Sequence, residues 1–101
     1  MALTGQQNRY LRGLAHHLKP TATVGKLGIT ETLIQQIQQN LTAHELVKVK
    51  LGITRGPERQ DEAKALATGT GAMLVQVLGG IVILYKPHPK KPKIKLPKEK
   101  S

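Results

Sequence analysis

Apolar positions in this 101-residue chain follow two rhythms, one with a period near 3.6 and one with a period of 2, and their order lays out the elements. Thr4 and Gln7 are spaced as a capping box, and Tyr10, Leu11, Leu14 and Leu18 follow at i, i+1, i+4 and i+8. This predicts a first helix from about Gly5 to Leu18, stopped by Pro20, which disfavours helical backbone at Lys19. Thr21 to Val24 reads as a short strand. Leu33, Ile34, Ile37 and Leu41 repeat the helical spacing and predict a second helix from Glu31 to Thr42, with a glutamine-rich outer face at Gln35, Gln36, Gln38 and Gln39.

Glu45 to Leu51 alternates: Val47, Val49 and Leu51 point one way and Lys48 and Lys50 the other, as in a half-buried strand. Pro57 suits the first position of a third helix whose stripe is Ala63, Leu66, Ala67 and Thr70 and whose stop is Gly71. Met73 to Leu78 and Ile81 to Tyr85 are β-rich runs joined by Gly79-Gly80, a hairpin signature. Both runs are apolar on each face, so both strands are expected to be covered on two sides. The order α-β-α-β-α-β-β predicts a single α/β domain over residues 1–86 with a small four-stranded mixed sheet. Crossover helices permit parallel pairing among strands one, two and three, and the hairpin makes the fourth antiparallel.

Composition changes after Tyr85. Residues 86–101 hold seven lysines, four of the six prolines and one acid, a mixture that does not build a core and is expected to be an extended, mobile tail from 87 to 101. Such a tail could bind RNA through counterion release or serve only as a solubilising extension.

Sixteen Lys and Arg against six acids give a net charge of +10, which points to a polyanionic partner, nucleic acid ahead of an anionic lipid face. The longest apolar stretch, Ala72 to Tyr85, is interrupted by Gln76 and the paired glycines and falls short of the roughly 20 residues a membrane helix needs. Met1 to Tyr10 lacks the basic-then-apolar pattern of a secretory leader, and there is no cysteine to suggest an oxidising compartment. A cytoplasmic protein without membrane association is expected, and no extended exposed apolar patch calls for a dimer.

The densest candidate chemistry is Gly25-Lys26-Leu27-Gly28, between the first strand and the second helix. Glycines there remove the side chains that would hold a polyanion off the backbone, and the unpaired N–H groups of the following helix point where a phosphate would sit. Lys26 adds a point charge, and Thr30 can act as N-cap and hydroxyl donor. Glycines at strand ends are also ordinary turn residues, so the pattern by itself fits either role. On the first helix Arg9, Arg12, His16 and Lys19 fall within an arc of about 80° opposite the leucine stripe, uninterrupted by an acid. Lys48 and Lys50 extend this cationic area if they lie on the side of Lys26.

Catalysis and metal binding find no support in the residues. His16 and His17 diverge by about 100° on a helix, and His44 and His88 have no Asp, Glu or Cys at ligand spacing. Glu58, Asp61 and Glu62 open the third helix, where acids complement its dipole. No nucleophile, cofactor motif or small-molecule site is recognisable. With Tyr10 and Tyr85 the only aromatics, recognition of a nucleic acid would rest on backbone and shape. A second reading is a protein-interaction adaptor docking on a protein partner through the glutamine face of helix two.

Several short motifs in one order, Gly13-Leu14-Ala15-His16, Leu18-Lys19-Pro20, Gly25 to Gly28, His44 to Lys50, Thr70-Gly71-Ala72, Val75-Gln76-Val77 and Leu84-Tyr85-Lys86-Pro87, run over almost the whole chain. In these the sequence resembles the CRM domain (chloroplast RNA splicing and ribosome maturation), whose stand-alone bacterial members are the YhbY proteins. The resemblance implies an α/β fold similar to the C-terminal domain of translation initiation factor three, with a GxxG loop acting like that of KH domains. It also implies RNA binding and association with precursors of the large ribosomal subunit, and for the adaptor reading it implies ribosomal proteins or assembly factors as the partners. Carried over by residue, the RNA-binding loop is Gly25, Lys26, Leu27 and Gly28, and the basic first helix supplies Arg9, Arg12 and Lys19. The chain departs from the pattern at Leu27, where members more often carry a polar residue, and in its longer lysine–proline tail.

Overall fold

A computed structural model describes residues 3–96 of the chain. Its elements are α1 (Gly5–Ala15), β1 (Pro20–Val24), α2 (Glu31–His44), β2 (Leu46–Leu51), α3 (Glu58–Thr70), β3 (Met73–Leu78) and β4 (Ile81–Tyr85). Element types and order match the expectation, and the two hairpin strands match it residue for residue. The Thr4 capping box forms as spaced, with the Gln7 amide donating to Thr4 Oγ1 and the Thr4 amide donating to Gln7 Oε1, both at 3.1 Å. Gly71 closes α3 in the left-handed conformation (φ 73°), where a side chain would be strained.

The four strands form one mixed sheet in the order β1-β2-β4-β3. β1 pairs with β2 in parallel, and β4 pairs antiparallel with β2 on one side and β3 on the other. This corrects the expected neighbouring of strands two and three: β3 runs in the same direction as β2 but is separated from it by β4. The reason is burial. Val82, Ile83, Leu84 and Tyr85 are all buried and need an interior position, whereas β3 carries Gln76 and the exposed Leu78 and takes the edge. Coverage on both faces is complete for most of β4 and partial for β3, where Leu74 and Val77 meet the α2–α3 layer and Met73 and Val75 the α1 layer.

The sheet has two differently built faces. On one, α2 and α3 lay Leu33, Ile37, Leu41, Ala63, Leu66 and Ala67 over Ala22, Val24, Val47, Val49, Leu51, Val82 and Leu84. These are the helical stripes and the alternation read from the sequence. On the other face α1 buries only Leu11 and Ala15, against Leu46, Val75, Ile83 and Tyr85. The predicted α1 stripe is thus corrected: Tyr10, Leu14 and Leu18 are exposed, and α1 stops three residues early. The helix is rolled so that the small Ala15 lets it approach the sheet beside Leu11.

The tail supplies the rest of that second layer. Ile94 and Leu96 pack against the α1-side cluster, and partial burial of side chains of this size contributes on the order of 1 kcal/mol each. The backbone N–H groups of His88, Lys93 and Ile94 donate to the Glu45 carboxylate at 2.7, 2.6 and 2.8 Å. Where an extended segment was expected, residues 88, 93 and 94 are thus tied to the domain. Composition predicts mobility for a segment that must find its own core, but this one borrows a core and an anchor from the domain. The remainder of the predicted tail, 97–101, lies outside the described residues.

Candidate nucleic-acid interface

The glycine loop leaves the C-terminal end of β1, in the strand register that sets Val24 beside Leu51. There the Gly52 amide donates to the Val24 carbonyl at 3.2 Å and the Leu51 amide to the Gly80 carbonyl at 2.7 Å. The loop at 25–28, the turn after β2 and the hairpin therefore share one end of the sheet. A Cβ on Gly52 would stand 2.7 Å from the Val24 carbonyl oxygen, so close strand approach demands glycine there.

Within the loop the Gly28 amide donates back to the Gly25 carbonyl at 3.0 Å, and Gly28 has φ 72°. That amide faces inward and is not available to a ligand. By contrast, among the described residues no protein acceptor meets the amides of Lys26, Leu27, Glu31 or Thr32. Thr30 caps α2, its Oγ1 accepting from the Leu33 amide at 3.1 Å. A Cβ on Gly25 would touch nothing in the protein, so internal packing does not explain a glycine at that position. An open cleft of about 320 Å³ runs along Gly25, Lys26, Leu27, Gly28 and Thr30 and is closed by Thr23, Thr32, Leu33 and Gln36. Leu27 is 88% exposed at its rim.

The second cationic area lies on the α1 side. Lys48 and Lys50 alternate with the inward-facing Val47 and Val49, so they project on the same side as α1. Arg12, His16 and Lys48 line one cleft of about 170 Å³ with Gln76, Leu78, Ile81 and Ile83. Lys50 lines neither cleft; it is exposed and in register with Thr23, which borders the glycine-loop cleft. Arg9 is exposed on α1. Lys19 departs from the predicted helical row: α1 has already ended, and Lys19 lines a different cleft with Leu18, Thr21 and His44, at the strand end away from the loop. None of these cationic side chains is tied to an acid of the chain among the described residues.

Four residues were not singled out from the sequence as contributors. Thr23 and Gln36 line the loop cleft, Gln36 also donating from Nε2 to the Thr21 carbonyl at 3.1 Å. Gln76, the one polar residue of β3, lines the α1-side cleft; its isolation within an apolar run was the available signal. Glu45 is the fourth. It is wholly buried at the C-terminus of α2 with φ 65°. Burial works against its charge, but the three amide donors and the His88 imidazole outweigh this and hold its pKa below the usual carboxylate value. Burial, with the charge of Glu45 nearby, raises the pKa of the Tyr85 phenol. No group of three His, Cys, Asp or Glu side chains among the described residues could hold a metal ion, and none of their helices is long and apolar enough to cross a membrane.

A three-helix, four-stranded α/β domain with an open glycine loop at one sheet end defines the class. The chain matches the CRS1/YhbY (CRM) domain model over residues 3–86 and belongs to that family. It is 42% identical over 95 residues to YqeI of Bacillus subtilis, which is named a probable RNA-binding protein, an alignment spanning 94% of this chain and 99% of the relative. It is 38% identical over 97 residues to a protein of Haemophilus influenzae named RNA-binding protein, spanning 96% and 97%. The solution structure of the Staphylococcus aureus protein SAV1595 superposes with a TM-score of 0.82 at 38% identity, covering 95% of this chain and all of that one.

Proposed function

We propose that this protein is a non-enzymatic RNA-binding protein of the cytoplasm that associates, as a monomer, with precursors of the large ribosomal subunit. The glycine loop and the first turn of α2 grip a phosphate of rRNA, and the α1 side fixes orientation along the backbone. RNA binding is supported by the family and by the names of the relatives. The observation that carries the site is the open cleft along Gly25–Thr30, where Lys26 stands beside amides, those of Lys26, Leu27, Glu31 and Thr32, that have no partner among the described residues. The ribosomal target follows from what the CRM family implies for this chain.

Electrophoretic mobility shift with rRNA fragments across a salt series tests this. Binding should weaken steeply with salt, and Gly25→Asp or Gly28→Asp should cost more affinity than loss of any one tail lysine, because a loop carboxylate obstructs and repels phosphate. Lys26→Ala should lower the slope of log K against log salt by about one. Equal losses from loop and tail variants would overturn the clamp. Retention on ribosomal particles after nuclease digestion would instead identify a protein partner.

A further inference from the structure

We infer that Glu45 is a positioning residue for the RNA-contacting helix: its carboxylate fastens the tail as a strap across the α1 side of the sheet, and the strap holds α1 in place. The part of this inference that concerns RNA rests on the reading of α1 as a contact surface; the fastening itself does not.

Both carboxylate oxygens of Glu45 are used, Oε2 by the His88 amide and Oε1 by the amides of Lys93 and Ile94. The main chain of Glu45 is engaged as well, its amide donating to the Leu41 carbonyl and its carbonyl accepting from the Lys86 amide at 2.8 Å. The His88 ring bends the strap by accepting from the Lys90 and Lys91 amides at Nδ1, at 3.2 and 3.0 Å. Every donor to the carboxylate is a backbone N–H. The carboxylate therefore reads the path of the chain, and one lysine side chain adds to the fastening, Lys93 Nζ donating to the Ala43 carbonyl at 3.0 Å.

The strap is needed where it lies. α1 contributes only Leu11 and Ala15 to the sheet, and the cluster that receives them is completed by Ile94 and Leu96. Releasing the strap uncovers the flank of that cluster and loosens the helix bearing Arg9 and Arg12. A buried carboxylate is kept charged by donors that the strap alone brings, so anchor and strap stabilise each other. Glu45→Gln offers one acceptor oxygen in place of two and turns an NH₂ group toward amide donors.

The test uses the full chain, amide hydrogen exchange by NMR and binding of a mixed-sequence RNA hairpin over a salt series. In Glu45→Gln, protection at His88, Lys93 and Ile94 should fall at least about tenfold, followed by α1, while α2 and α3 keep theirs. RNA affinity should fall and the salt slope should drop by about two, as Arg9 and Arg12 leave the contact. Simple loss of folded protein would lower apparent affinity without moving the slope. Ile94→Ser with Leu96→Ser leaves the anchor intact and should reproduce the α1 effect should Glu45→Gln fail to fold. Replacing Lys90, Lys91 and Lys95 together by Gln, which keeps the Lys93 Nζ bond to the Ala43 carbonyl, should preserve strap and α1 protection. The inference is overturned if the strap stays protected in Glu45→Gln, if α1 is indifferent to its release in both variants, or if affinity falls at constant slope. An unchanged slope in Arg9→Gln with Arg12→Gln in the otherwise native chain would refute the role of α1 in RNA contact and leave the exchange arms to decide the strap.

Discussion

The two faces of the sheet are built from similar strands and finished in opposite ways. Beneath α2 and α3, aliphatic stripes of two regular helices close over the strands and leave no charge between them. Beneath α1 the cover is a rolled helix with two buried side chains and a strap with two partly buried ones, and the uncovered remainder carries Lys48, Lys50, Gln76 and Leu78. One face supplies cohesion and the other offers a surface. A small domain can leave half a sheet face open because the opposite layer stabilises the strands that both share.

The sharpest break in this comparison is a cavity under α3. Leu66→Ala removes a wholly buried side chain, and urea unfolding should show a loss of about 2–5 kcal/mol. Acid should act on the other face first. The folded pKa of Glu45 is depressed, so its contribution to stability is complete above the ordinary carboxylate pKa and is lost as pH falls through the lower folded value. Hydrogen exchange along an acid titration should thus show His88, Lys93 and α1 opening before α2 and α3, and simultaneous opening would deny the two faces separate character. Thr4→Ala deletes the cap of α1 and should cost about 1 kcal/mol in thermal unfolding. Smallest of all, Leu78→Ser on the open face, where the side chain is 63% exposed, should shift stability by no more than about 0.5 kcal/mol. A larger loss would mean that the surface is core after all.

Periodicity worked where one element meets one partner. The stripes of α2 and α3 and the alternation of β2 each answer to a single layer, so their buried positions were legible: Leu33, Ile37 and Leu41, with Ile34 only partly buried, and the set Ala63, Leu66, Ala67 and Thr70. It failed for α1, because spacing alone does not distinguish a helix centred on Leu14 from one rolled toward Leu11 and Ala15. The candidate site was legible as the glycine loop at its strand–helix junction and as the acid-free cationic row. Lys19 left that row only because α1 ends at Ala15.

The chain by itself determined the element order, the closed aliphatic layer, the cationic balance and the glycine junction, since each is a property of neighbouring residues or of their sum. Tertiary structure alone decided that β4 lies between β2 and β3, that Lys50 stands beside Thr23, and that Glu45 holds amides 43 to 49 positions away. Those outcomes depend on which surfaces compete for the interior and on groups brought together only by folding. A local pattern fixes what each segment presents, and packing chooses what it meets.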